Sequence, residues 1–203
     1  MATVVKSWVF LSNAEGLADV GLSGVSFNWS GAIGSPAVGA VYFSNLGGGP
    51  AGTEKARTGA GVTWETWGVP AGSVVTSVQV AEIRIYRNYA LDKSTTFKVR
   101  IVNSSDTTVH SAGDLTSLVD HSTLDWSTFI NGATRNVDAS YQASTTAVKL
   151  ELECILSTAN NDDYGMDTLS ITITYTAGAP SFVAKLRRAF SQFSQRVGVR
   201  QAQ

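Results

Sequence analysis

The chain has 203 residues, 43% hydrophobic and 15% charged, with a formal net charge of −1. A chain of this length suffices for one domain that buries enough surface to fold without covalent staples. Its one cysteine excludes an internal disulfide and a cysteine-built zinc site. The average charge conceals a division: residues 1–180 hold all 16 acids beside 10 Lys and Arg (−6). Residues 181–203 hold Lys185, Arg187, Arg188, Arg196 and Arg200 with no acid (+5). A charge break of this kind marks two units with different partners.

In chain order, Met1 to Asn13 carries one lysine and the short apolar stretch Trp8–Leu11. That stretch is too short for a signal h-region or a membrane span, so the expectation is synthesis in the cytosol, with no signal peptide. Val25, Phe27 and Trp29 alternate with polar residues, and Val38–Phe43 is rich in β-branched and aromatic residues; both read as strands. Residues 44–61 are dominated by glycine and alanine without a period, and predict a long exposed loop that makes contacts. Trp64 and Trp67 flank Glu65-Thr66; on a strand, residues three apart point to opposite faces, so one of the two could form a glycan-stacking platform.

Pro70-Ala71-Gly72 reads as a turn. Val78 and Val80 are followed out of phase by Ile83 and Ile85, which predicts a β-bulge near Ala81–Glu82. Phe97, Val99 and Ile101 alternate with Lys98 and Arg100, and Val148 to Leu156 alternates through Cys154, a core hydrophobe in this reading. Glu151 and Glu153 share the opposite face, expected to be solvated. Asn160, Asn161, Asp162, Asp163 and Asp167 form an acidic loop, weak candidates for calcium through oxygen ligands. Leu169, Ile171, Ile173 and Tyr175 complete the strand pattern. With almost no helical period before residue 180, the chain predicts an antiparallel sandwich or barrel, and missing crossover helices exclude a parallel α/β sheet.

At Ala177–Pro180 the period changes. Phe182, Leu186, Phe190, Phe193 and Val197 recur at spacings of three and four, with Arg187 and Arg188 on the other face. This predicts a basic amphipathic helix after a linker at 177–181, with the sandwich at 1–176 and the helix and tail at 182–203. Its apolar stripe and basic residues are the expected partner-binding surface. No catalytic set emerges: there are two histidines, His110 and His121, without metal-ligand spacing or a G-x-S-x-G elbow. No cofactor, nucleic acid or membrane partner is expected.

Two segments carry a resemblance. Trp8–Trp29, with Ala14-Glu15-Gly16, resembles the opening strands of jelly-roll domains of the carbohydrate-binding-module type. Trp67–Val78, with its Pro-Ala-Gly turn, looks like the turn entering a strand in jelly rolls of tailed-bacteriophage structural proteins. The resemblance implies a jelly-roll sandwich and a virion structural protein of the capsid decoration (cement) type. Such a protein would be a homotrimer bound to the major capsid protein. The alternative it implies is a glycan-binding module of a phage fibre or adhesin.

Overall fold

The computed structural model describes residues 1–9, 18–19, 25–29, 40–44, 52–58, 62–87, 96–119, 126–130, 132–156 and 163–178. The predicted helix, with Phe182, Leu186, Arg187, Arg188, Phe190, Phe193 and Val197, lies outside them. So do Asp162 and His121.

Twelve strands are found among the described residues: β1 (Ala2–Val9), β2 (Ala18–Asp19), β3 (Val25–Trp29), β4 (Ala40–Ser44), β5 (Gly52–Arg57), β6 (Val74–Arg87), β7 (Thr96–Val102), β8 (Thr116–Val119), β9 (Trp126–Ile130), β10 (Arg135–Asn136), β11 (Lys149–Leu156) and β12 (Asp163–Thr176). They form two antiparallel sheets. One has seven strands in the order β10-β6-β12-β4-β3, with β1 also on β12 and β9 also on β6; the other has five in the order β2-β5-β11-β7-β8.

The period-two pattern explains the layering. From the seven-stranded sheet, Val78, Val80, Ile83, Ile85, Leu169, Ile171 and Ile173 point inward and are buried. From the five-stranded sheet, Phe97, Val99, Ile101, Leu150, Leu152 and Cys154 meet them. Each large side chain so buried contributes about 1.5–3 kcal/mol. The phase slip on β6 is a bulge: Ser170 pairs with Glu82 and Ile171 with Val80, leaving Ala81 unpaired. The extra residue returns Val80 and Ile83 to the same face.

Two expectations fail. Within 44–61, residues Gly52–Arg57 form β5, an internal strand paired with β2 and β11. Ala56, in the core, is the only apolar residue in its sequence, so no apolar alternation announces it. The segment Thr63–Gly68 is a single helix-like turn, not a strand. Thr63 and Thr66 bond each other's backbone N–H through their hydroxyls (3.3 and 3.2 Å). The turn closes with Gly68 N–H donating to Glu65 O (3.0 Å) and Val69 N–H to Trp64 O (3.0 Å), with Gly68 at φ +97°. This is a Schellman ending, for which glycine is suited.

Candidate functional site

The turn at 63–68 decides the fate of the two tryptophans. On a helical turn, residues three apart face the same way, and Trp64 and Trp67 both enter the core at 0% and 4% exposure. Trp67 stands edge-on between Trp8 (5.2 Å, 89°) and Trp64 (5.5 Å, 81°). The Trp64 indole N–H donates to Tyr141 O at 2.8 Å. Neither ring presents a face to a sugar.

The outer face of the five-stranded sheet also differs from expectation. Glu151 and Glu153 are buried at 2% and 5% exposure. The register sets Glu151 opposite Arg57 and Arg100, and Glu153 opposite Lys55 and Lys98. The long cationic side chains of both flanking strands lie over the shorter acids. Arg57 Nη2 is 2.5 Å and Arg100 Nη1 3.0 Å from Glu151, while Lys55 Nζ is 2.9 Å from Glu153. Arg100 also forks onto Glu153 (2.9 Å from both Nη1 and Nη2) and donates from Nε to Asp114. Burial alone would raise the Glu153 carboxyl, but hydrogen bonds from Arg100 and Lys55 outweigh it and hold the group at about 2. Its shift is opposite to the raised value a general acid at a glycosidic bond requires.

His110 is buried and serves the backbone: Nδ1 lies 3.2 Å from Ser111 O, and Nε2 accepts from Ile101 N–H at 3.3 Å. Burial lowers its pKa, only partly opposed by the Ser111 hydrogen bond. Among the acidic-loop candidates, Asp163 opens β12, and Asp167 is the residue skipped where β12 shifts register against β6. Among the described residues, no three His, Cys, Asp or Glu side chains gather as a metal ion would require.

The feature with the geometry of a binding site lies where the edges of the two sheets meet. The segment leading into β8 and the one joining β9 to β10 lace the sheets together. Leu115 N–H donates to Val99 O (2.9 Å), Ala133 N–H to Leu115 O (2.9 Å), and Gly132 N–H to Val80 O (2.8 Å). A Cβ on Gly132 would stand 2.7 Å from Leu115 O and 2.8 Å from Thr116 Oγ1, so this crossing requires glycine. Beside it opens a cleft of about 530 Å³, within the range of small-ligand sites. Val80, Ile83 and Leu115 back it from the core, each at most 1% exposed, and its accessible apolar side chain is Ile130, 66% exposed. Its polar groups are Asp114, Thr116, Ser117 and Arg135. None of these was singled out by sequence; the available signal was a glycine near a charged residue in both segments, Gly113-Asp114 and Gly132 to Arg135.

Fold and cleft together define a two-sheet antiparallel β-sandwich with a ligand-sized recess at the sheet edges. No protein-family profile matches the chain, and no curated protein matches it in sequence. Solved structures of similar fold include TmCBM61 in complex with β-1,4-galactotriose (12% identity, TM-score 0.43, covering 80% of this chain and 97% of that one). Another is the CBM36-1 domain of a multidomain xylanase from the hindgut metagenome of Trinervitermes trinervoides (11% identity, TM-score 0.38, 88% and 100%). A third is the enzymatically active domain of tailspike protein 4 from bacteriophage CBA120 (7% identity, TM-score 0.43, 81% and 21%). These likenesses concern the fold; no residue role is carried over from them.

Proposed function

We propose that the chain is a non-catalytic glycan-binding module built on a jelly-roll sandwich, with its ligand seated in the cleft beside the Leu115–Ala133 crossing. The connectivity supports the jelly-roll reading: β1 lies beside β12, and the chain passes repeatedly between the two sheets. The observation that carries the functional reading is the cleft's chemistry. The exposed Ile130 and Ala133, with a hydroxyl and one guanidinium beside them, suit a ring with an apolar C–H face and polar edges. Among the described residues Asp114 is the one acid that lines it, whereas glycoside hydrolysis in its usual form needs two. The test is calorimetric titration of soluble oligosaccharides into the wild type and into Ala133→Trp, which fills the cleft from an exposed position. Binding should fall at least about tenfold in the variant, the loss of one well-packed contact region; unchanged binding would place the ligand elsewhere.

A second reading, a decoration protein on a phage capsid, draws on β1. It pairs with β12 on one side and, among the described residues, with no strand on the other. Its Val5 and Val9 are 56% and 50% exposed. An exposed edge of this kind is a template for pairing with another chain. Light scattering of the wild type beside Val5→Lys would show a trimer lost on substitution; a monomer in both would remove this reading.

A further inference from the structure

The two charged residues lining the cleft differ in how they are compensated. Asp114 turns its carboxylate away to the outer face, onto Arg100 Nε, with Lys98 Nζ at 3.9 Å. Arg135 is held differently. Its Nε donates to the backbone carbonyl of Asp114 at 3.1 Å, and among the described residues no carboxylate pairs with it. The guanidinium is nevertheless held in place. A Cβ on Gly113 would stand 2.6 Å from Nη2 and 2.8 Å from Cζ, so the guanidinium lies close against the Gly113 backbone. Gly113 has φ +104°, a conformation that suits glycine and lets the loop pass this close.

A clamped guanidinium with the Asp114 carboxylate turned away from it, set in a recess beside the exposed Ile130, is a preorganised receptor for an anion of planar, forked geometry. The exposed Ser117 also lines the recess and can serve a hydroxyl. We infer that the cleft selects a carboxylate-bearing sugar, a uronic or ulosonic acid residue, whose carboxylate pairs with Arg135. This rests on the reading of the cleft as a glycan site and specifies its ligand class.

The test pairs each acidic oligosaccharide with its own methyl ester, which keeps the ring and removes the charge. Oligogalacturonate, oligomannuronate, a hyaluronan tetrasaccharide and sialyllactose are titrated into the full chain, with neutral galacto- and xylo-oligosaccharides alongside. The expected result is one or more acids binding about 10–100-fold tighter than the ester, the range of a charge-assisted hydrogen-bonded pair. That preference should shrink with added salt and vanish in Arg135→Gln, checked for folding by its unfolding midpoint. If Arg135→Gln does not fold, the ester comparison and salt dependence of the wild type decide alone. Neutral glycans bound in the cleft with no acid preferred over its ester would overturn the inference and leave the glycan reading standing. No glycan of either kind in the cleft would overturn both.

Discussion

Arg100 and Glu153 meet diagonally across β7 and β11: the register pairs Arg100 with Glu151, yet both Nη atoms of Arg100 lie 2.9 Å from Glu153 oxygens. One guanidinium therefore serves both buried glutamates and Asp114, and it stands at the junction between the charged face and the cleft wall. Its own pKa is raised: burial would lower it, but the hydrogen bonds with Glu153 and Asp114 prevail.

Removing that guanidinium leaves carboxylates that have already lost their water. Breaking a fully buried pair costs about 3–5 kcal/mol. Arg100 keeps 19% side-chain exposure, so Arg100→Met should cost about 2–3 kcal/mol. Urea unfolding checks this; a loss under about 0.5 kcal/mol would mean the layer is no more than a surface ion-pair array.

The same layer sets a window of acid sensitivity. The folded pKa of Glu153, about 2, lies below its ordinary 4.5, so the unfolded chain takes up the proton first as pH falls. Its contribution is full above about pH 4.5 and is lost as pH falls toward 2, with a span of about 3 kcal/mol. Stability measured from pH 6 to 2 should show a shallower acid slope in Glu153→Gln than in the wild type. Identical slopes would contradict the assignment.

His110 acts at higher pH. Its folded pKa lies below the ordinary 6.5, so stability is unaffected above that value. It declines below, as the unfolded chain alone becomes protonated. Nitrogen NMR of the ring at pH 6 should show a neutral imidazole with the proton on Nδ1 and Nε2 accepting from Ile101. An imidazolium there would refute the buried, backbone-serving role.

The tryptophan cluster gives a packing prediction. Trp67→Ala removes the ring between Trp8 and Trp64 and should destabilise by about 3–5 kcal/mol, as aromatic truncations in cores do. Trp64 and Trp67 should also be shielded from acrylamide. A variant within about 1 kcal/mol of the wild type would place Trp67 at the surface instead.

What the sequence discloses follows from how local each signal is. The alternation of Phe97 to Ile101 and Leu169 to Tyr175, the phase slip at Ala81 and the turn at Pro70–Gly72 are written in neighbouring residues. All appear in the structure, where Ser73 N–H bonds Pro70 O and Gly72 has φ +75°. Strand β5 escaped because Ala56 is the only apolar residue in its sequence. The burial of Glu151 and Glu153 depends on cations from β5 and β7, distant in sequence and brought alongside only by strand register. That Trp64 and Trp67 share one inward side was illegible because a Thr-capped turn with a glycine ending replaced the assumed strand. The cleft was illegible for the same reason as the glutamates: Asp114 and Arg135 belong to separate loops joined through the Leu115–Ala133 hydrogen bond.

A glycan seated in the cleft at the sheet edges would perturb the backbone amides around it. An amide NMR titration with the tightest-binding oligosaccharide of the calorimetric panel tests this placement most directly. The largest shifts should fall on Gly113, Leu115, Thr116, Gly132 and Ala133, with the amides of Lys55 and Glu153 unmoved. Shifts centred on the outer face of the five-stranded sheet, or no shifts at saturating sugar, would contradict it.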